Sequence, residues 1–94
     1  MKQYLITAWD GEDALERRMN ARNHHLLGAE KLKREGNFIL GGAMLNQEQQ
    51  MIGSTMVLQF ETEEEFEEWK RTEPYILNKV WNKVEIHPFK VANV

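Results

Sequence analysis

The sequence contains no cysteine, and that one absence removes disulfide bonds, thiolate zinc sites, iron–sulfur clusters and a cysteine nucleophile together. No apolar run approaches the ~20 residues needed to cross a bilayer. There is no excess of basic residues: 12 Lys and Arg stand against 15 Asp and Glu, a formal charge of −3. Nucleic acid and anionic membranes normally require a basic face, so neither is expected as a partner. The acidic cluster Glu61, Glu63, Glu64, Glu65, Glu67 and Glu68 is expected to be the solvated side of a helix. The segment Met1 to Asp10 runs into a charge cluster too early for a signal peptide, so the expected location is the cytoplasm. Nucleophile elbow, P-loop, dinucleotide fingerprint and zincin motif are also missing. No cofactor and no metal site are therefore expected.

What is present fits a single domain over residues 1–94. A chain of this length buries only a little over ~60% of the surface it exposes when unfolded, so its core is thin. Small domains usually add a disulfide, a metal or a partner subunit. With the first impossible and the second unsupported, a partner subunit is expected.

Periodicity orders the elements as strand, helix, strand, strand, helix, strand. Gln3 to Trp9 alternates with period two, with Tyr4, Ile6 and Ala8 on one face and Leu5, Thr7 and Trp9 on the other. Asp10-Gly11 turns the chain, and Asp13 with Glu16 three residues on predicts a capping box. Leu15, Met19, Arg22, Leu26 and Ala29 then recur at helical spacing, and Gly36-Asn37 stops the helix. Residues 13–35 form one long helix or two, because Asn20-Ala21-Arg22-Asn23 is a point where asparagine competes for backbone hydrogen bonds. A second strand is expected over Phe38 to Asn46, where paired Gly41-Gly42 predicts a bulge or a close approach by backbone or ligand. A polar connection leads to a third strand from about Ser54 to Phe60, with Met56, Leu58 and Phe60 on one face. Thr62-Glu63-Glu64-Glu65 is a second capping box, opening a helix that buries Phe66 and Trp69. After Glu73-Pro74-Tyr75 a short helical turn leads to the last strand, Val80 to Val91. Val80, Val84 and Ile86 are expected to face the core there, with Trp81 and Phe89 opposite. Right-handed crossovers place both helices on one face of a ferredoxin-like α+β sheet of four antiparallel strands.

The opposite face then carries Leu5, Trp9, Ile39, Val57, Trp81, Phe89 and Val91. That exceeds the few hundred Å² of apolar patch that soluble monomers usually leave in water. A second sheet packed against it, making a homodimer, is the expected solution.

For chemistry the candidates are few. His24 and His25 are adjacent, so on a helix they point about 100° apart and cannot share a metal as an i, i+4 pair does. His87 has no patterned partner. His25 lies one helical turn after Arg22 on roughly the same face. A histidine suits general acid or base work near neutrality, and an arginine beside it can hold a carboxylate or phenolate. The alternative is structural, with Arg22 paired to a glutamate and His25 filling a gap. Glu73 sits where an N-cap belongs, before a proline that favours the first helical position. Glutamate is a poor N-cap, which leaves its carboxylate free to reach elsewhere, or the segment is only a surface turn with Tyr75 packed down. RNA-binding RRM domains share the element order, but Gly53 to Phe60 lacks their basic, aromatic third-strand pattern.

Taken together, several segments resemble one family over nearly the whole chain. They are Arg22-Asn23-His24-His25-Leu26, Gly36-Asn37-Phe38-Ile39-Leu40-Gly41-Gly42, Gly53-Ser54-Thr55, Phe66-Glu67-Glu68-Trp69, Glu73-Pro74-Tyr75 and Val84-Glu85-Ile86-His87-Pro88-Phe89. In this order and spacing they are similar to the YciI-like family, small bacterial proteins of the dimeric α/β-barrel type. The resemblance implies an acid–base pair between a histidine of the first helix, here His25, and the aspartate of an Asp-Pro-Tyr turn. Glu73 stands at that aspartate's place. Its extra methylene moves the carboxylate by on the order of 1 Å, a misplacement that can cost ~10²-fold in rate. Some related domains act as dehydrochlorinases, or as lyases resembling muconolactone isomerases.

Two functions follow as expectations. One is a cofactor-independent lyase or isomerase acting on a small anionic cyclic or aromatic compound, with His25 and Glu73 catalytic and Arg22 and Tyr75 binding the ligand. The other is a non-catalytic dimeric module that binds a small molecule in the same cleft.

Overall fold

The structure, a computed structural model, describes residues 1–94. Its elements are β1 (Lys2–Asp10), α1 (Leu15–Arg34), β2 (Phe38–Leu45), β3 (Met51–Phe60), α2 (Glu63–Thr72), α3 (Pro74–Leu77) and β4 (Trp81–Phe89). The strands form one sheet in the order β2-β3-β1-β4, and every neighbouring pair is antiparallel. This is the ferredoxin-like α+β arrangement expected from the element order. No helix is long and apolar enough to cross a membrane.

The core lies between the sheet and the helices. Tyr4, Ile6 and Ala8 of β1 and Met56, Leu58 and Phe60 of β3 are buried with Phe66 and Trp69 of α2. Phe66 stacks on Tyr4 with ring centroids 3.9 Å apart. α2 opens with the predicted capping box: Thr62 Oγ1 accepts from the Glu65 amide at 3.2 Å, and Glu65 Oε1 accepts from the Thr62 amide at 3.1 Å.

α1 takes the first of the two forms left open by the sequence, one helix rather than two, and departs from the sequence expectation in its cap and in its inward face. It is one continuous helix of 20 residues, so Asn20-Ala21-Arg22-Asn23 does not break it. Asp13 does not cap it. The N-cap is Ala14, with no side-chain cap bond, because Asp13 is used at φ +54 to turn the chain out of β1. An Asp tolerates that left-handed conformation, but its carboxyl is then one residue too early to reach the first-turn amides. The inward stripe is also displaced by one position. Ala14, Arg18 and Ala21 are buried, His25, Gly28 and Leu32 are partly so, and Leu15, Met19 and Leu26 are exposed. One residue is about 100° of rotation, enough to exchange an apolar face for one built of small and polar groups. The helix ends as a Schellman motif, with Gly36 at φ +81 and the amides of Gly36 and Asn37 bonded to the Lys33 and Leu32 carbonyls.

β3 begins three residues earlier than predicted, at Met51, and β4 ends at Phe89. The register slips around Phe38/Leu40 and Met44/Leu45 rather than at the paired glycines. Gly41 serves instead a close approach: an added Cβ would stand 2.9 Å from the Phe38 ring.

Trp81 corrects the assignment of the second face. A register shift between Trp9 and Asp10 pairs Lys83 with Trp9 but Trp81 with Asp10. This bulge carries Trp81 to the helix side, where it is buried in the core. Leu40, paired with Val57, joins the opposite face in its place. On that face Leu5 is half-buried and Trp9 is 40% exposed, with Leu40, Phe89 and Val91 also open.

Candidate active site

Where β1 ends, Asp10 points to the helix side and meets Arg18, one of the most buried residues of the chain at 2% exposure. Asp10 Oδ2 accepts from Arg18 Nε at 2.8 Å, and Oδ1 accepts from Nη2 at 3.3 Å. Nη2 also donates to the Gly53 carbonyl at 2.7 Å and to Ser54 Oγ at 2.6 Å. The indole of Trp81 donates to the same Ser54 oxygen at 3.2 Å. Such saturation is what permits a guanidinium to be buried.

Two turns further along α1, His25 is 12% exposed at its side chain. Its Nδ1 lies 2.5 Å from Glu73 Oε1. The same oxygen accepts from the Tyr75 amide at 3.1 Å, so Glu73 is the N-cap of α3 after all. The longer side chain folds back to cap the turn and meets the imidazole with the oxygen that caps. Glu73 is 4% exposed. A carboxylate partner assigns the ring hydrogen to Nδ1 and leaves the Nε2 lone pair free in the neutral imidazole.

The imidazole is held on its face as well as at its nitrogen. It stacks on Tyr75 with centroids 4.0 Å apart and planes 10° apart, and it meets Trp81 edge-on at 6.3 Å. Arg18 Cζ lies 4.6 Å from the same Tyr75 centroid. Arg18 and His25 are about 10.5 Å apart along the helix, which leaves room for one ring between them. Tyr75 fills it. Burial pushes the Tyr75 phenol above its ordinary value, and the positive charges of Arg18 and Arg22 offset this only in part. The phenol therefore stays protonated at neutral pH.

Of the four residues singled out in the sequence, His25 and Glu73 are in contact, Tyr75 stacks on His25, and Arg22 lines the same small cavity as His25 and Tyr75. That cavity has a volume of about 100 Å³, and Leu26, Phe38 and Met56 form part of its wall. Arg22 belongs to none of the molecule's ion pairs, whereas Arg18, on the same wall, is neutralised by Asp10. The uncompensated charge at the cavity is thus Arg22. His24 is exposed, and His87 is exposed beside Glu85 at 3.6 Å. A larger groove of about 330 Å³ lies on the far side of Glu73, between α1 and α2, against Gly28, Leu32 and Trp69. Size does not select the site, since the histidine lines only the smaller space.

Sequence periodicity missed Arg18, Asp10, Ser54 and Trp81. One signal existed: positions 14, 18, 21, 25, 28 and 32 keep helical spacing as well as the apolar stripe does, with an Arg and a His at its centre.

Comparison with known proteins agrees with the architecture. The YCII-related domain matches residues 2–90. Protein YciI of Escherichia coli O6:H1 is 32% identical, over 93% of this chain and 95% of its own length. An uncharacterized protein of Haemophilus influenzae is 31% identical with the same coverage. Among solved structures, 5-chloro-2-hydroxyhydroquinone dehydrochlorinase from Burkholderia phenoliruptrix, complexed with 2,5-dihydroxybenzoquinone, superposes with a TM-score of 0.83. It is 21% identical, with 96% of this chain and 95% of that one covered. An antibiotic biosynthesis monooxygenase gives 0.60 at 9% identity, covering 99% and 100%. The likeness to these two structures is one of fold. On the matched domain and the identity to the Escherichia coli protein, the chain belongs to the YCII-related domain family.

Proposed function

We propose that the chain is a cofactor-independent lyase or isomerase acting on a small anionic cyclic or aromatic compound. The observation that carries this reading is the His25–Glu73 contact beside a small cavity at which Arg22 is the unpaired cation. In the proposed step the Nε2 lone pair of His25 takes a proton from a C–H or O–H of the ligand. Glu73 orients the ring and stabilises the imidazolium that forms. Arg22 holds the ligand's anionic oxygen, and Tyr75 lines the pocket and offers its phenol as a hydrogen-bond donor. The return of the proton to a second ligand atom completes an isomerisation. Its loss with a leaving group completes an elimination, the class to which the dehydrochlorinase of the same fold belongs by name.

At about 100 Å³ the cavity is smaller than the about 150 Å³ that encloses a benzene, so a one-ring ligand would sit partly in it and extend out of its mouth. We infer also that the second face of the sheet, with Leu5, Trp9, Leu40, Val57, Phe89 and Val91, packs against another copy as a homodimer. Sedimentation as a clean monomer at micromolar concentration would sink that part.

The test is a panel of hydroxylated and chlorinated ring acids and phenols, incubated in D₂O and followed by NMR for exchange or loss of a ring C–H. Once a turnover is found, His25→Ala and Glu73→Ala should each reduce it, His25→Ala by about 10²- to 10⁴-fold. If both variants keep the wild-type rate, the reading fails. Saturable binding across the panel without turnover would establish a small-molecule-binding module instead.

A further inference from the structure

Glu73 divides its two carboxylate oxygens between two spaces. Oε1 is taken by His25 and the Tyr75 amide. Oε2 has no partner in the protein, and no side-chain nitrogen or oxygen lacking a partner is sealed from solvent. Glu73 lines the 330 Å³ groove between α1 and α2 and not the His25 cavity. Oε2 therefore faces the groove. A carboxylate as buried as this one, with an oxygen still offering its lone pairs, has a binding capacity that the fold itself does not use.

The rest of the groove has chemistry to match. Glu35, Glu65, Glu68 and Glu73 line it against the single cation Lys31, a net formal charge of −3. Glu65 is committed to the Thr62 cap and Glu68 to Arg71, so Glu73 is the buried anchor and Glu35 the free rim charge. Lys31 takes part in no ion pair, so the protein's own ammonium does not occupy Oε2. Trp69 and Leu32 supply an apolar wall, and an indole face attracts a cation more strongly than other aromatic rings do. No three carboxylate or imidazole groups converge closely enough to ligate one metal ion. The recognised cation is therefore one that brings its own hydrogen-bond donors.

We propose that this groove is a second ligand site, for a small organic cation. Its occupant is an ammonium or guanidinium on a short apolar stem, anchored on Glu73 Oε2 with the stem against Trp69. Its volume is at the lower end of the usual range for small-molecule sites. The site does not depend on any reaction at His25. It does share Glu73 with that residue, so an occupant competes electrostatically for the carboxylate that orients the imidazole.

Titration of ¹⁵N-labelled protein with butylammonium tests this, following the indole Nε1–H of Trp69, identified by its loss in Trp69→Phe. A saturable shift is expected with butylammonium and none with butanoate, which has a similar stem and the opposite charge. Glu73→Gln should weaken binding about tenfold, the usual scale for losing a hydrogen bond to a charged group. Gly28→Leu provides a second route: a Cβ there meets nothing within 4 Å, so the side chain enters the groove, and the shift should disappear. Equal shifts from both ions, an affinity unchanged by Glu73→Gln and Gly28→Leu, or no saturation with butylammonium would overturn the proposal.

Discussion

α1 and α2 cover the same face of one sheet and are held there by different forces. α2 sets Phe66 and Trp69 into the aromatic cluster with Tyr4 and Phe60, closes its first turn with a capping box, and leaves its charges in water. α1 turns Arg18, Ala21, His25, Gly28 and Leu32 inward and leaves Leu15, Met19 and Leu26 exposed. Its two inward polar side chains are each matched from elsewhere in the chain, Arg18 by the carboxylate of Asp10 at the end of β1 and His25 by that of Glu73 at the start of α3. Burial of apolar area holds α2 and tolerates small changes of rotation. One buried ion pair and one buried hydrogen bond to a carboxylate hold α1 and fix its rotation, because turning it by one residue would strand both partners. The helix that carries the candidate chemistry is the one whose position is specified electrostatically.

The comparison breaks most readily at Asp10. Asp10→Ala leaves the Arg18 guanidinium buried without its counter-charge and is expected to cost about 3–5 kcal/mol in urea unfolding. Phe66→Ala should cost a similar amount, about 3–5 kcal/mol, through a cavity. The two losses differ in what repairs them. Adding Arg18→Met to Asp10→Ala should recover most of the first, since apolar residues of like volume often replace buried ion pairs without loss. Adding Tyr4→Ala to Phe66→Ala should only deepen the second. If Arg18→Met gives no recovery, α1 is not held by charge pairing.

Smaller effects sharpen the same contrast. Thr62→Ala removes the cap of α2 and should cost about 1 kcal/mol by the same assay. Gly28→Ala should stabilise α1 by about 0.5–1 kcal/mol, since it removes a flexible residue from a helix interior where a Cβ fits freely. The smallest change concerns Tyr75. Its phenol binds the proton more tightly in the folded chain than its ordinary value of 10.0, because of burial. This contribution is complete below that value and is lost as pH rises through the higher folded-state one. Wild type should therefore lose more stability than Tyr75→Phe in denaturation series carried above pH 10, with equal behaviour near neutrality.

Most of the architecture was readable from periodicity, because β1, β3 and α2 bury apolar residues at regular spacing. The faces of Tyr4, Ile6 and Ala8, the Thr62 cap and the burial of Phe66 and Trp69 all follow from local rules. α1 did not yield to them. An apolar template selects Leu15, Met19 and Leu26, yet the inward stripe contains an Arg and a His whose partners lie 8 and 48 residues away. Trp81 was misplaced because the shift between Trp9 and Asp10 carries no Gly or Pro to mark it. His25 and Arg22 drew attention by residue type and spacing, but nothing local joins His25 to Glu73. Only the resemblance to a family supplies that link, and the N-cap bond to the Tyr75 amide accounts for the extra methylene of Glu73.

One oxygen, Glu73 Oε1, ends the bond from His25 and begins the four residues of α3. Tyr75 anchors that turn in the core at 1% exposure, so α3 opens only when this packing is released. Whenever α3 frays, the carboxylate loses the amide that positions it, and the imidazole loses its partner in the same event. The fraction of molecules with a correctly aimed base is then the fraction with that turn closed. Amide exchange at Tyr75, a local measurement, would report it directly.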